Sequence, residues 1–208
     1  MKNSLLVVLC LVAGIACGVW GGTYFTAYFS KLPTVMLYLL IIQVGLNLGS
    51  SGELGAMFRN LSLSTLTLPV FTIAGTLLFS AAASLLLNSW NIFDCMAVGS
   101  GFAYYSLSSL LIVQLKEASA GIEIASQLGA IALLTNIIRE MLALFGAPVY
   151  ASLFGKFAPV SVAGINSMDV CLPVISRYSG KSIVPVAIVH GIILEVSVPL
   201  LVSLFCKL

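Results

Sequence analysis

Residues 159–175 read PVSVAGINSMDVCLPVI, an apolar run interrupted at its centre by Gly164, Asn166, Ser167 and Asp169 and again by Pro173. In a helix interior glycine costs about 1 kcal/mol and proline about 3, and an aspartate at the centre of a membrane span costs about 2.5–3.5 kcal/mol more. Backbone freed from helical hydrogen bonding is tolerated at membrane depth only where it lines a cavity or meets protein. The stretch therefore reads as a broken or re-entrant helix. A second of the same kind runs from Cys95 to Val113, with Gly99-Ser100-Gly101 near its start and Tyr104-Tyr105-Ser106-Leu107-Ser108-Ser109 through its middle. A pair of interrupted apolar segments points to a transporter's binding site. Half-helix N-termini offer N–H groups to anions there, and half-helix C-termini offer carbonyls to cations.

The rest of the chain requires a membrane. Of 208 residues 60% are hydrophobic and 8% charged, with a mean hydropathy of +1.14, whereas soluble domains carry about 25% charged residues. Apolar segments run approximately over Leu5–Gly22, Thr34–Leu48, Leu63–Leu87, Cys95–Val113, Ile122–Phe145, Pro159–Ile175 and Ile183–Cys206. Short loops join them, so residues 1–208 read as a single transmembrane transporter domain: an all-α, polytopic membrane helix bundle of about five full spans plus two broken or re-entrant helices. Gly14, Gly18 and Gly22 form a small-residue stripe suited to helix contact, so the first segment reads as a retained span. Lys2, Arg59, Lys116, Arg177 and Lys181 fall on one side and Lys31, Lys156 and Lys207 on the other, which favours a cytoplasmic N-terminus. Net charge is +2 without a basic cluster, and nothing suggests nucleic acid. The five cysteines have no metal-binding or disulfide spacing and read as packing residues; no metal or cofactor is implied.

Three carboxylates lie within the apolar segments: Glu140, Asp169 and Glu195. Glu53, Asp94, Glu117 and Glu123 lie near segment ends and read as wet. An intramembrane carboxylate normally faces a cavity or a partner. Asn136, Arg139 and Glu140 project within one sector of the fifth segment, as a transport face or as a structural Arg–Glu pair. Asp169 has the stronger claim, because unpaired backbone surrounds it. His190 and Glu195, five residues apart, diverge by about 140° on their helix and need different partners. His190 reads either as a helix-to-helix hydrogen-bonding group or as a proton relay. Gln43 and Asn47 suit helix contact.

Gly99–Ser109, Asn136-Ile-Ile-Arg-Glu140, Asn166-Ser-Met-Asp169 with Leu172-Pro173-Val174, and Ala187-Ile-Val-His-Gly191 together resemble the bacterial lysine exporter LysO family, with the motifs in the family's order. The resemblance implies an inner-membrane exporter of L-lysine and lysine-like analogues, with Glu140 and Asp169 serving transport. A lysine side chain crossing a low-dielectric interior needs an opposing charge, and two carboxylates can alternately hold its ammonium and a proton, giving antiport. Candidate substrate- and proton-binding residues are Asp169, Glu140, Arg139, Asn136, Ser167, Asn166, Ser106, Tyr105 and His190. Longer members carry an additional N-terminal unit of about three spans, so the resemblance also implies a small three-span membrane partner or a homo-oligomer. Glu195 matches no pattern of the family. Other readings are a sodium-coupled carrier or channel for another small solute, and a structural subunit of a membrane complex.

Overall fold

The computed structural model describes residues 63–87 and 89–208 continuously, with a few isolated helical positions before them. Gln43, Asn47, Gly18 and Gly22, and the cations Lys2, Lys31 and Arg59 that enter the sidedness count, lie outside the described residues. The described part is all-helical, without strands. Among the described residues, three helices are long and apolar enough to cross a membrane: α1 (Leu63–Ala83), α4 (Ile122–Phe154) and α7 (Val184–Lys207), the last preceded by a 3-10 turn over Lys181–Ile183. Val70 and Leu78 of α1 are exposed, a face that suits lipid rather than water. The chain is a multi-pass membrane protein.

α4 continues nine residues past the expected end at Phe145, through Pro148 to Phe154, and stops at Gly155 with φ 85°. Proline removes one helical hydrogen bond, but abandoning the helix in lipid would leave several groups unpaired, so the helix runs on. Its 33 residues extend about 50 Å at 1.5 Å each, well beyond a hydrocarbon core of about 30 Å.

Both interrupted segments break as expected. The first consists of α2 (Ile92–Gly99), a break over residues 100–104, and α3 (Tyr105–Ala120). It starts three residues before the expected Cys95 because Asn91 and Asp94 form a reciprocal capping box, in which the Asp94 N–H donates to Asn91 Oδ1 at 2.7 Å. Asp94 also corrects the sequence reading. Rather than being wet, it forms an ion pair with Lys116 at 2.7 Å, the two side chains only 13% and 11% exposed. If α2 and α3 were collinear, these residues would stand about 30 Å apart at 1.5 Å per residue, far beyond the combined reach of their side chains. The segment therefore folds back on itself as a re-entrant hairpin. The second interrupted segment comprises α5 (Ala158–Ala163), a 3-10 turn over Gly164–Met168, a break at residues 169–171, and α6 (Leu172–Ser179).

Two apolar clusters fix these pieces. Phe102, Leu107, Leu128, Ile165, Leu194 and Val198 bury one, which joins the first hairpin to α4 and α7. Val160, Cys171 and Ile175 bury the other against Ala143 of α4 and Ala187 of α7. Gly191 of α7 sits against the 3-10 turn so closely that a Cβ there would overlap the Met168 side chain and the Ile165 carbonyl.

Candidate functional site

The two breaks meet. Phe102 and Ala103 are non-glycine residues at positive φ, 43° and 74°, a conformation costing roughly 1–2 kcal/mol per residue. It persists because the surroundings over-determine it. The Ala103 N–H donates to Asn136 Oδ1 at 2.7 Å, and the Phe102 carbonyl accepts from the Ile165 N–H at 3.0 Å. Gly164, at φ 62°, lies against that same carbonyl, leaving no room for a Cβ. Asn136 uses its remaining donors on Ala132 O at 2.8 Å and Ser108 Oγ at 3.3 Å. Its amide is thereby engaged on both sides, as a clamp on the first break.

Arg139 serves the second break. Its Nε donates to Val162 O at 2.9 Å and its Nη2 to Ser161 O at 3.0 Å, and its guanidinium stands 5.7 Å from the centre of the Phe102 ring. These carbonyls end α5, where helix termination strips them of intrahelical partners and concentrates negative potential. A fork of planar donors satisfies both. Ser167 and His190 tie the following turn to α7 and α1. Ser167 Oγ donates to Ala187 O at 2.9 Å and lies 3.2 Å from His190 Nδ1. His190 Nε2 lies 3.1 Å from Thr72 Oγ1.

The carboxylates Glu140 and Asp169 share neighbours. Glu140 is buried at 4% exposure, whereas Asp169, at the break itself, is exposed. Tyr105 and Cys171 each lie within the electrostatic reach of both. Tyr105 and the half-buried Ser106 form the first turn of α3, which starts without a side-chain cap, so its positive end faces this region. Asn166 closes the 3-10 turn: its carbonyl accepts from the Asp169 and Cys171 N–H groups at 3.2 and 2.9 Å, and its side-chain Nδ2 is buried without a hydrogen-bond partner. Glu195, 5% exposed, acts electrostatically on Tyr104 and is acted on by Asp169.

The candidates from sequence thus divide. Asn136, Arg139, Ser167 and His190 hold the crossing together, while Glu140 and Asp169 share Tyr105 as a neighbour, Ser106 adjoins Tyr105 in the chain, and the Asn166 carbonyl accepts from the Asp169 N–H. Glu195, named among the three intramembrane carboxylates but matched to no pattern of the family, lies one helical turn beyond Gly191, the residue against the 3-10 turn. Cys171 packs in the second apolar cluster, in line with its reading as a packing residue, whereas Thr72 and Ser161 are hydroxyls in apolar helices that carry no sequence signal of their own.

A family model described as Lysine exporter LysO matches residues 8–206. The chain is 28% identical over 198 residues to "Lysine exporter LysO" of Escherichia coli strain K12, covering 94% of this chain and 61% of that protein. It is also 28% identical over 171 residues to "Putative lysine exporter" of Haemophilus influenzae, covering 82% of each. The chain therefore spans about three-fifths of the length of the first relative. No solved structure matches it.

Proposed function

The chain belongs to the lysine exporter LysO family, and from that premise we propose that it exports L-lysine and lysine-like analogues across the inner (cytoplasmic) membrane by proton antiport. The observation that carries this reading is the placement of Glu140 and Asp169 about a common Tyr105 and Cys171, at the meeting of two broken helices. Asp169 is open to solvent while Glu140 is buried, which suits a cation that is taken up at the first and passed inward to the second. A lysine ammonium and a proton then occupy the carboxylates in turn, and neither step leaves the region with a large charge imbalance.

The α-carboxylate of the substrate has two candidate partners, the unpaired Nδ2 of Asn166 and the N-terminus of α3 beside Tyr105 and Ser106. Arg139 and Asn136 position the breaks, and Ser167 and His190 belong to the proton side of the exchange. The N-terminus lies in the cytoplasm, and the working transporter includes either a small three-span membrane partner or a second copy of this chain, since transporters commonly pair repeats around a central site.

The test is lysine efflux from proteoliposomes holding this chain, alone and with the candidate three-span protein. Efflux that rises when the outside is acidified supports antiport. Efflux indifferent to outside pH removes the proton coupling, and no flux in either preparation removes the exporter reading.

A further inference from the structure

His190 is fully buried, yet both of its ring nitrogens meet hydroxyls whose own protons have acceptors elsewhere. Ser167 Oγ, 3.2 Å from Nδ1, donates to the Ala187 carbonyl at 2.9 Å. Thr72 Oγ1, 3.1 Å from Nε2, has two acceptors, the Leu68 carbonyl at 2.9 Å and Ser161 Oγ at 3.0 Å. A hydroxyl has a single proton to give. With both hydroxyls donating to those acceptors, an imidazolium, which donates from both nitrogens, satisfies both contacts, and the Gly164 backbone is a further hydrogen-bond partner of the ring. A neutral ring requires one hydroxyl to turn its proton inward. Thr72 does so at the lower cost, because Ser161 can replace the donated proton and Leu68, four residues earlier in α1, keeps its place in the helical ladder.

The two arrangements differ by one proton, and the route between them opens on a cavity. Thr72 and Ser161 line a space of about 670 Å³, along with Arg139, Phe71 and Gly75, whereas His190 itself does not reach it. On the far side, Ser167 stands two residues before Asp169 in the chain. The nearest ionisable groups on the surrounding elements are Arg139 and Glu140 of α4, Asp169 and Cys171 after the 3-10 turn, and Glu195 on α7 itself; α1 brings none. Of these Arg139 acts directly on the ring.

We infer that Thr72 is the gate through which protons pass between this cavity and His190. The inference rests on the antiport reading given above. In the inward step a hydrated proton in the cavity binds Ser161 Oγ, the Ser161 hydroxyl proton moves to Thr72 Oγ1, and the Thr72 proton moves to His190 Nε2. Each oxygen gains one O–H bond and loses one, the ring gains one N–H bond, and no electrons are exchanged. The reverse sequence discharges the ring.

The test uses the whole chain in proteoliposomes, together with the three-span protein if transport requires it. A trapped pH-sensitive dye reports proton movement, and labelled lysine reports both net efflux and lysine–lysine exchange, which needs no net proton. Thr72→Val keeps the shape of the side chain and removes the hydroxyl. It is expected to lower lysine-driven proton movement at least tenfold while exchange stays within twofold, and Thr72→Ser is expected to restore coupling. Undiminished proton movement in Thr72→Val overturns the gate. So does a loss of exchange and proton movement together that Thr72→Ser does not repair, since that marks a structural role. Wild-type protein that moves lysine without protons overturns the antiport reading itself, a result separate from either variant's.

Discussion

The Ile165 amide donates to the Phe102 carbonyl at 3.0 Å, so the break in one interrupted helix supplies the acceptor for a donor freed by the break in the other. In hydrocarbon each of those groups, left alone, would cost several kcal/mol. The pairing makes the two breaks mutually dependent, and it places unwound backbone near Asp169, one of the two carboxylates proposed to hold the substrate's ammonium.

Gly164→Ala tests that dependence. A Cβ at this position meets the Phe102 carbonyl and forces a side chain onto a backbone at φ 62°. The expected result is a loss of roughly 2–4 kcal/mol of stability, combining strain and steric displacement. It would be read as a lowered melting temperature in detergent, with transport falling in parallel.

Asn136→Ala removes the acceptor of the Ala103 N–H and both amide donors. Leaving that buried donor unpaired costs about 1–3 kcal/mol. Asn136→Asp retains an acceptor but neither donor, and should recover only part of the loss. If the two variants melt alike, the bond from Ala103 is not what sustains the break.

For Arg139 the informative substitution is lysine. A lysine keeps the positive charge but cannot reproduce the two-pronged donation to Ser161 and Val162. Arg139→Lys is therefore expected to lower stability by about 1–3 kcal/mol and to weaken transport. Wild-type behaviour would reduce the role of Arg139 to charge alone.

The carboxylates should behave in the opposite way. On the proposed function, Asp169→Asn and Glu140→Gln remove the countercharge of a bound ammonium, and each is expected to cut lysine efflux at least about tenfold, a loss of roughly 1.4 kcal/mol or more. Asp169→Asn, at an exposed position, should leave the melting temperature nearly unchanged, so its efflux defect can be separated from unfolding. Retention of full efflux by both variants would remove them from the pathway.

Asp94 and Lys116 offer a test of the hairpin. Removing one partner strands a largely buried charge, whereas removing both does not. Lys116→Met alone should therefore destabilise more than Lys116→Met combined with Asp94→Asn. A double-mutant cycle should return a coupling of about 0.5–3 kcal/mol.

What the sequence determined by itself was the membrane character, the helical class and the position of both interruptions. These follow from local quantities: apolar run length, and the cost of Gly164, Asp169 and Pro173 in a continuous helix. The candidacy of Glu140 and Asp169 followed in the same way, since a carboxylate in an apolar segment is conspicuous without any knowledge of its neighbours. Tertiary structure alone decided which interruption faces which, because Phe102 and Ile165 are 63 residues apart and no periodicity links them. It also divided the polar sector of α4, directing Asn136 to one break and Arg139 to the other, when helical spacing could only place them side by side. Asp94 looked wet because it lies near a segment end, and only the fold-back of α2 on α3 brings Lys116 to it. Thr72 gains its place from His190, 118 residues away. A hydroxyl in an apolar helix looks the same in sequence whether it bonds its own backbone or a buried imidazole, and packing between helices is what distinguishes the two.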